Sequence, residues 1–153
     1  MLTVFWSPIG FRIVEMLPHG EKFNADYFIN CILKKIVDSN PKQSSNSSKR
    51  RVVLHMDNAT PHRAKATLNF AQKNGLVFSP HPAFSPNLAP SDFYLFGKVK
   101  DAIKGMEFES EEDLLDEVIK VLSQISREEL ESVMDEWEQR LLACIANGGD
   151  YVE

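Results

Sequence analysis

Two aspartates at a fixed separation are the residues of this chain best suited to chemistry. Asp57 follows a β-like run that ends at Met56, Asp92 opens a helix-like run, and 34 residues lie between the two aspartates. Carboxylates that emerge from a strand end and a helix start can converge on one cation, as two-metal phosphoryl transfer requires. Each aspartate alone also has a structural interpretation, because Asp57 could begin a turn and Asp92 could complement the dipole at a helix N-terminus.

The residues around the two aspartates form two long motifs. HMDNATPH spans His55–His62, and HPAFSPNLAPSDF spans His81–Phe93. In this order and at this distance they resemble the catalytic core of mariner-family transposases, whose second and third metal-binding aspartates have this spacing and these neighbours. The opening hairpin and the closing segment from Trp137 resemble the same family, so the resemblance covers essentially the whole chain.

The resemblance implies an α/β fold, an RNase H-like mixed sheet flanked by helices, of which residues 1–153 are a part. A polar loop at residues 39–50 and an acidic helical C-terminal segment at 105–153 complete this organisation. The implied activity is metal-dependent DNA cleavage and strand transfer, with Asp57 and Asp92 as catalytic ligands of Mg²⁺, for which Mn²⁺ substitutes. The implied partners are DNA, specifically transposon ends, and a second copy of the chain in a homodimer.

The family's first catalytic aspartate, on the central first strand of the sheet, has no match in this sequence, nor has its N-terminal helix-turn-helix region. We therefore expect the chain to be inactive alone, which leaves its status as an enzyme open. We also expect two strand edges to be exposed where the first strand would lie between them. The alternative is a non-catalytic, transposase-derived module that binds DNA or dimerises. An unrelated hydrolase using His55, Asp57 and His62 would not explain the second motif.

Neighbouring polar residues are candidates for supporting roles. His62 lies one helical turn beyond Asp57 and could contact a substrate phosphate or a metal-bound water, although a structural hydrogen bond is an equal alternative. Asn58 is expected to orient the loop of its neighbour Asp57, and ordinary turn chemistry is the alternative. A basic triplet ahead of the strand could contact the DNA backbone, although a solvated loop end explains it equally well; it comprises Lys49, Arg50 and Arg51.

Charge is distributed unevenly along the chain. The net charge is −5, yet residues 1–106 hold 14 Lys and Arg against 7 Asp and Glu, and residues 107–138 hold 2 against 13. A face that attracts phosphate would therefore belong to the first two thirds. The two cysteines are far apart, and no apolar run approaches the ~20 residues of a membrane span. We expect an intracellular protein, in the nucleus or the cytoplasm, that is neither secreted nor bound in a membrane.

The elements that must position the candidate residues follow from hydrophobic periodicity and turn residues. Three X-Pro steps predict an extended strut over His81–Pro90, and His55 and His81 are interpreted as structural. The predicted strands are Leu2–Trp6, Phe11–Leu17, Arg51–Met56 and Leu76–Ser79. The predicted helices run from Asn24 to Val37, from the N-cap Thr60 to Asn74, and over Ser91–Lys104, Ser110–Leu122 and Ser126–Ala146. Their predicted buried faces carry Phe28, Cys31, Ile32 and Ile36; Ala64, Leu68 and Ala71; and Phe93, Phe96, Val99 and Ile103.

Overall fold

A computed structural model describes residues 1–39 and 52–150 of the protein. The strands are β1 (Leu2–Ser7), β2 (Gly10–Met16), β3 (Val52–His55) and β4 (Leu76–Ser79). The helices are α1 (Ala25–Tyr27), α2 (Lys34–Ser39), α3 (Thr60–Arg63), α4 (Lys65–Lys73), α5 (Phe96–Ile103), α6 (Glu111–Ser123) and α7 (Arg127–Ala146). Two π-helical segments, Phe28–Leu33 and Ser91–Leu95, and a 3₁₀ turn at Pro86–Leu88 complete the set.

The chain divides into two compact units. The first comprises Met1 and Leu17–Ala83, and the second comprises Leu2–Met16 and the chain from Phe84 onward. Within the described residues β1 pairs only with β2, antiparallel, and β3 pairs only with β4, parallel. The basic triplet at residues 49–51 lies outside the described residues, as does all but the first residue of the predicted polar loop. None of the helices within 1–39 and 52–150 combines the length and hydrophobicity that crossing a membrane needs.

The first unit is built around a helix that begins where the sequence predicts. Asn24 is its N-cap, and the side-chain oxygen of Asn24 accepts a hydrogen bond from the Tyr27 backbone N–H at 2.9 Å. The helix reaches Ser39, two residues beyond the predicted end. Its π-helical segment widens the turn, so that Leu33 is fully buried while the predicted core residue Cys31 is only half-buried.

The prediction of one helix from Thr60 to Asn74 is wrong in two respects. Helical residues begin at Thr60 itself, and Ala64 adopts an extended ψ of 141° that separates α3 from α4. This break rotates α4, so that Thr67 is fully buried and the predicted core residue Leu68 is 47% exposed. The buried Thr67 hydroxyl donates to the Pro61 carbonyl at 2.7 Å, which satisfies it and ties α4 to α3.

The second unit has a helical core beneath the β1–β2 hairpin. The hairpin turns at Gly10, whose φ of +129° is a conformation that a residue without Cβ adopts readily. Ser110 and Ser126, where the sequence predicts the two helices to begin, cap α6 and α7, and the side-chain oxygen of each accepts a backbone hydrogen bond. The core contains Leu95, Val99, Val118, Val121, Leu122, Ile125 and Leu130. Each fully buried leucine among them contributes roughly 1.5–3 kcal/mol through the apolar surface it removes from water.

The strut and the helix after it differ from their predictions. The strut is not extended throughout, because Phe84 has a positive φ of 56° and Pro86–Leu88 forms a 3₁₀ turn. The next helix opens with a π-helical turn over Ser91–Leu95, which shifts the buried stripe. Leu95 is fully buried, whereas the predicted core residue Phe96 is 39% exposed.

Candidate active site

Asp57 follows the end of β3 in a short loop that is fixed by its own hydrogen bonds. Its Oδ1 atom accepts from the Ala59 backbone N–H at 3.1 Å, a local turn in which an aspartate side chain replaces a backbone acceptor. The side chain of Asn58 reaches the segment that follows β4, where Nδ2 donates to the His81 carbonyl at 2.8 Å. The loop is therefore tied both to its own backbone and to the segment after β4.

His62 lies directly against Asp57. Its Nδ1 atom is 2.8 Å from Asp57 Oδ1 and 3.3 Å from the Asp57 backbone carbonyl. The ring is only 17% exposed, because it packs on Phe28 at 4.7 Å between centroids and meets Phe23 at 5.8 Å in an edge-to-face arrangement. Of the two roles that the sequence left open, this geometry provides the hydrogen bond to protein.

His55 and His81 form a second polar contact next to the Asp57 loop. Nδ1 of His81 is 3.1 Å from Nε2 of His55, and the two rings meet edge to face. Burial lowers the pKa of His55, and the neighbouring imidazole of His81 lowers it further because two adjacent positive charges repel. His55 therefore stays neutral at physiological pH, as a histidine in a structural hydrogen bond does.

Asp92 is in the second unit, exposed on the π-helical turn that follows the strut. Its backbone N–H donates to the Ala89 carbonyl at 2.8 Å, which continues the turn from the strut into the helix. The preceding residue is held from β1, since Trp6 Nε1 donates to the Ser91 hydroxyl at 3.1 Å. These contacts fix the backbone from which the Asp92 carboxylate extends.

Helix α7 holds the strut ahead of Asp92. Trp137 Nε1 donates to the Leu88 carbonyl at 2.8 Å, and Arg140 Nη1 donates to the Asn87 carbonyl at 3.3 Å. The guanidinium of Arg140 also lies 4.3 Å from the ring centroid of Phe93, a cation–π contact. Two buried backbone carbonyls of the strut thus accept hydrogen bonds from side chains of α7. These hydrogen bonds fix the position of the strut relative to α7.

Glu129 forms a polar bridge between α7 and the helix of Asp92. Its Oε1 atom accepts from both the Tyr94 hydroxyl and Lys98 Nζ, each at 2.5 Å. The hydrogen bond from Lys98, followed by that from Tyr94, lowers the pKa of Glu129. Burial, with the adjoining carboxylate, raises the pKa of Tyr94, so the phenol remains a donor.

The donor set suits a hard divalent cation at Asp57. Carboxylate oxygen is the ligand type that Mg²⁺ prefers, and Asp57 is 65% exposed with Oδ2 free of hydrogen bonds from any described residue. Asp57 belongs to the first unit and Asp92 to the second. Across residues 1–39 and 52–150 no group of three or more His, Cys, Asp or Glu is gathered in a way that could hold a metal ion.

Sequence reasoning missed the residues that support the two aspartates. Phe28 was predicted only as part of a buried helix face, and no contact was predicted for Phe23, Trp6 or Arg140. Their contacts span from 34 to 85 positions of sequence, a separation at which periodicity carries no information. No local pattern in the sequence points to these contacts.

Comparison with known proteins places the chain in a family. Residues 12–115 match the family described as DDE superfamily endonuclease, which is more than half of the chain. The chain belongs to this DDE superfamily. It is 30% identical to the Mariner Mos1 transposase of Drosophila mauritiana over 158 aligned residues, which cover all of this chain and 45% of that protein. It is also 28% identical to the human histone-lysine N-methyltransferase SETMAR, over 74% of this chain and 16% of that protein.

The solved structures confirm the predicted fold of this DDE superfamily chain. The crystal structure of the catalytic domain of Mos1 mariner transposase matches 99% of it with a TM-score of 0.87 and 27% identity, and 75% of that domain is covered. The fold is accordingly α/β and RNase H-like. Other matching Mos1 structures are described as catalytic domain complexes with Mn and with Mg, and as a strand transfer complex. The chain spans less than half the length of the curated relatives it matches.

Proposed function

We propose that this chain is part of a mariner-like transposase catalytic domain, whose activity is divalent-metal-dependent DNA cleavage and strand transfer. The observation that carries the proposal is the match of 99% of the chain to the Mos1 catalytic domain, with both motif aspartates exposed. Asp57 further supports it, because a carboxylate held at one oxygen and open at the other suits a cation. The membership in a superfamily of endonucleases is consistent with phosphoryl transfer on DNA.

Asp57 and Asp92 are the proposed catalytic residues and metal ligands. Mg²⁺, or Mn²⁺ in its place, would supply activation of a water or a 3′-hydroxyl and stabilisation of the leaving oxygen. Other residues of the chain position the two aspartates: Asn58 holds the Asp57 loop, and α7 holds the strut before Asp92. His62, whose ring contacts two phenylalanines, forms a hydrogen bond with the Asp57 carboxylate.

The proposed activity needs a further carboxylate. Two Mg²⁺ ions require several hard oxygen ligands, and the described residues gather no third His, Cys, Asp or Glu with either aspartate. We infer that the chain is inactive or severely impaired alone. A strand bearing an aspartate, supplied by a longer form of the protein or by a partner, would complete the site.

DNA is the proposed partner, and a homodimer the proposed assembly. Matching Mos1 structures are described as paired-end complexes, one with the left transposon end and one with Mn. Lys49, Arg50 and Arg51 remain candidates for contacts with the DNA backbone, since they belong to the basic first two thirds of the sequence. A nuclear location follows from the substrate, because chromosomal DNA is found there.

A nicking assay on supercoiled plasmid with Mn²⁺ tests this proposal. The purified chain is compared with Asp57→Asn and Asp92→Asn, which retain the size of each side chain and remove its charge. Nicking that is lost in both variants would establish the two ligands and would require a third ligand from elsewhere in the chain. Nicking that is equal in all three proteins would contradict the assignment of both aspartates.

Absence of nicking would favour the second candidate, a transposase-derived module that binds DNA or dimerises without catalysis. The observation in its favour is that the described residues gather no group of three or more His, Cys, Asp or Glu that could hold a metal ion. Binding of short duplex DNA, measured as a function of salt concentration, distinguishes a DNA-binding module from a dimerisation module. Contacts to phosphate weaken steeply as salt is raised, whereas dimerisation through apolar surface does not.

A further inference from the structure

The two carboxylate oxygens of Asp57 have different environments. Oδ1 accepts two hydrogen bonds, from the Ala59 N–H at 3.1 Å and from His62 Nδ1 at 2.8 Å. No described residue donates to Oδ2, although the side chain is 65% exposed and open to a ligand. The protein thus fixes one oxygen and leaves the other available.

The contact with Asp57 determines which nitrogen of His62 carries hydrogen. An ionised carboxylate can only accept hydrogen bonds, so Nδ1 must be the protonated nitrogen of the neutral ring. Nε2 then bears the lone pair. This tautomer is an observable property of the ring, independent of any enzymatic activity.

The ring of His62 is itself immobilised. Phe28 is fully buried and lies 4.7 Å from it, and Phe23 contacts it edge to face. The short helix α3 that carries His62 is tied to α4 by the hydrogen bond from the Thr67 hydroxyl to the Pro61 carbonyl. Because Phe28, Phe23 and the tie between α3 and α4 hold the His62 ring in place, its Nδ1 hydrogen fixes the direction of the Asp57 carboxylate that accepts from it.

We propose that His62 is a positioning residue that orients Asp57, so that Oδ2 alone binds the divalent cation. This inference rests on the proposed function, in which Asp57 is a metal ligand. Hydrogen-bonded partners of metal ligands orient the ligand, and their loss typically costs ~10–100-fold in metal affinity. A histidine that served only to fill space between the two phenylalanines would contribute through its ring and not through its Nδ1 hydrogen.

Two substitutions separate the donor from the ring. His62→Phe keeps an aromatic ring between Phe23 and Phe28 and removes the donor. His62→Asn loses the ring but places an amide N–H near the position of Nδ1. His19→Phe makes the same chemical change at an exposed histidine and serves as the matched control.

The experiment is a titration of the ¹⁵N-labelled chain with Mn²⁺, followed by paramagnetic broadening of the Asn58 and Ala59 amide signals. In the wild type, His62→Asn and His19→Phe, broadening is expected at similar Mn²⁺ concentrations. His62→Phe is expected to need ~10–100-fold more Mn²⁺. Asp57→Asn should abolish broadening at these two amides. Signals of the acidic helix α6 report non-specific binding in every sample.

The outcomes distinguish this inference from the proposed function. Equal broadening in His62→Phe and wild type, with loss in Asp57→Asn, would overturn the positioning role and leave the ligand assignment standing. Broadening that persists in Asp57→Asn would overturn the assignment itself. Should His62→Phe fail to fold, long-range ¹H–¹⁵N spectra of the wild type decide: a ring protonated at Nε2 contradicts the proposal, and one protonated at Nδ1 that changes in Asp57→Asn supports it.

Discussion

The surroundings of Asp57 in the first unit differ from those of Asp92 in the second unit. In the first unit, Asp57 is held at its own carboxylate, by the Ala59 N–H and by His62. In the second unit, α7 holds the backbone of the strut ahead of Asp92: Trp137 donates to the Leu88 carbonyl, and Arg140 to the Asn87 carbonyl. The contacts at Asp57 act on the carboxylate itself, whereas those from α7 act on backbone carbonyls of the strut.

This difference has an energetic consequence. A hydrogen bond to an exposed carboxylate adds little to stability, because water competes for both partners. A hydrogen bond to a buried carbonyl is costly to lose, because the acceptor stays desolvated. Substitutions in the first unit's polar contacts should therefore change ligand binding more than stability, and those in the second unit should do the reverse.

The largest expected loss of stability comes from substitution of Phe28. This first-unit residue should affect both the stability of the protein and the site around Asp57. Phe28 is fully buried in the first unit and also supports the ring of His62. Phe28→Ala should lower the free energy of unfolding by about 3–5 kcal/mol, the usual cost of emptying a large buried site. Urea denaturation measures the loss, and the spectra of the His62 ring report its orientation.

Phe28→Leu is the control for this prediction, since it preserves most of the volume and removes the flat face that His62 contacts. It should recover much of the stability without restoring a fixed ring. A loss near zero for Phe28→Ala would contradict the packing described here.

The second prediction concerns Trp137 and the buried carbonyl that it satisfies. Trp137→Phe keeps an aromatic side chain on α7 but leaves the Leu88 carbonyl without its donor. The expected loss of stability is about 1–3 kcal/mol, with the His62 tautomer unchanged. Trp6→Phe is the matched control: its acceptor is the Ser91 hydroxyl, which can rotate towards another partner, so the loss should be smaller. If urea denaturation shows that Trp137→Phe and Trp6→Phe lose the same free energy of unfolding, burial of the carbonyl acceptor does not determine the loss.

The sequence was informative about elements and uninformative about contacts between them. Caps are local, so residue type and position predict the N-cap Asn24, which the structure confirms, although the predicted N-cap Thr60 is itself helical. The register within helices was less predictable. Two π-helical turns and the break at Ala64 each rotate the residues that follow, which is why Phe96 and Leu68 are exposed.

For the candidate site, the motifs identified both aspartates and their neighbours but not what holds them. The roles assigned to Asp57, Asp92, Asn58 and His62 remain predictions that only the measurements described above can test. The aromatic surroundings of His62 and the donors on α7 depend on chain folding over long separations. No local pattern encodes such contacts, so they required the structure.

The third prediction tests strain in the strut. Phe84 is fully exposed and has a φ of 56°, a left-handed conformation that costs a residue with a Cβ about 1–2 kcal/mol. Phe84→Gly relieves this strain but adds about 0.5–1 kcal/mol of backbone entropy cost, so it should exceed Phe84→Ala in stability by about 0.5–1 kcal/mol. Thermal and urea unfolding measure the difference. A Gly variant less stable than the Ala variant would mean that the contacts on α7 do not enforce this conformation.

The smallest expected effect is electrostatic and concerns Glu129, which joins α7 to the helix of Asp92 by hydrogen bonds with Lys98 and Tyr94. The pKa of Glu129 is lowered from its ordinary value of 4.5, so the folded state binds this proton less readily than the unfolded state. Its contribution is therefore present above that ordinary pKa and is lost as the pH falls through the lowered pKa.

Both side chains of this ion pair are more than a third exposed, so we expect Glu129→Gln to cost only about 0.2–1 kcal/mol at pH 7. The deficit should shrink as the pH falls through the lowered pKa of Glu129, because the wild-type carboxyl then becomes protonated and resembles the amide. Urea denaturation of both proteins across this range measures it, with Glu131→Gln, which removes an exposed pair within α7, as the control. A deficit that does not change with pH would mean that Glu129 stabilises this unit through the shape of its side chain and not through its charge.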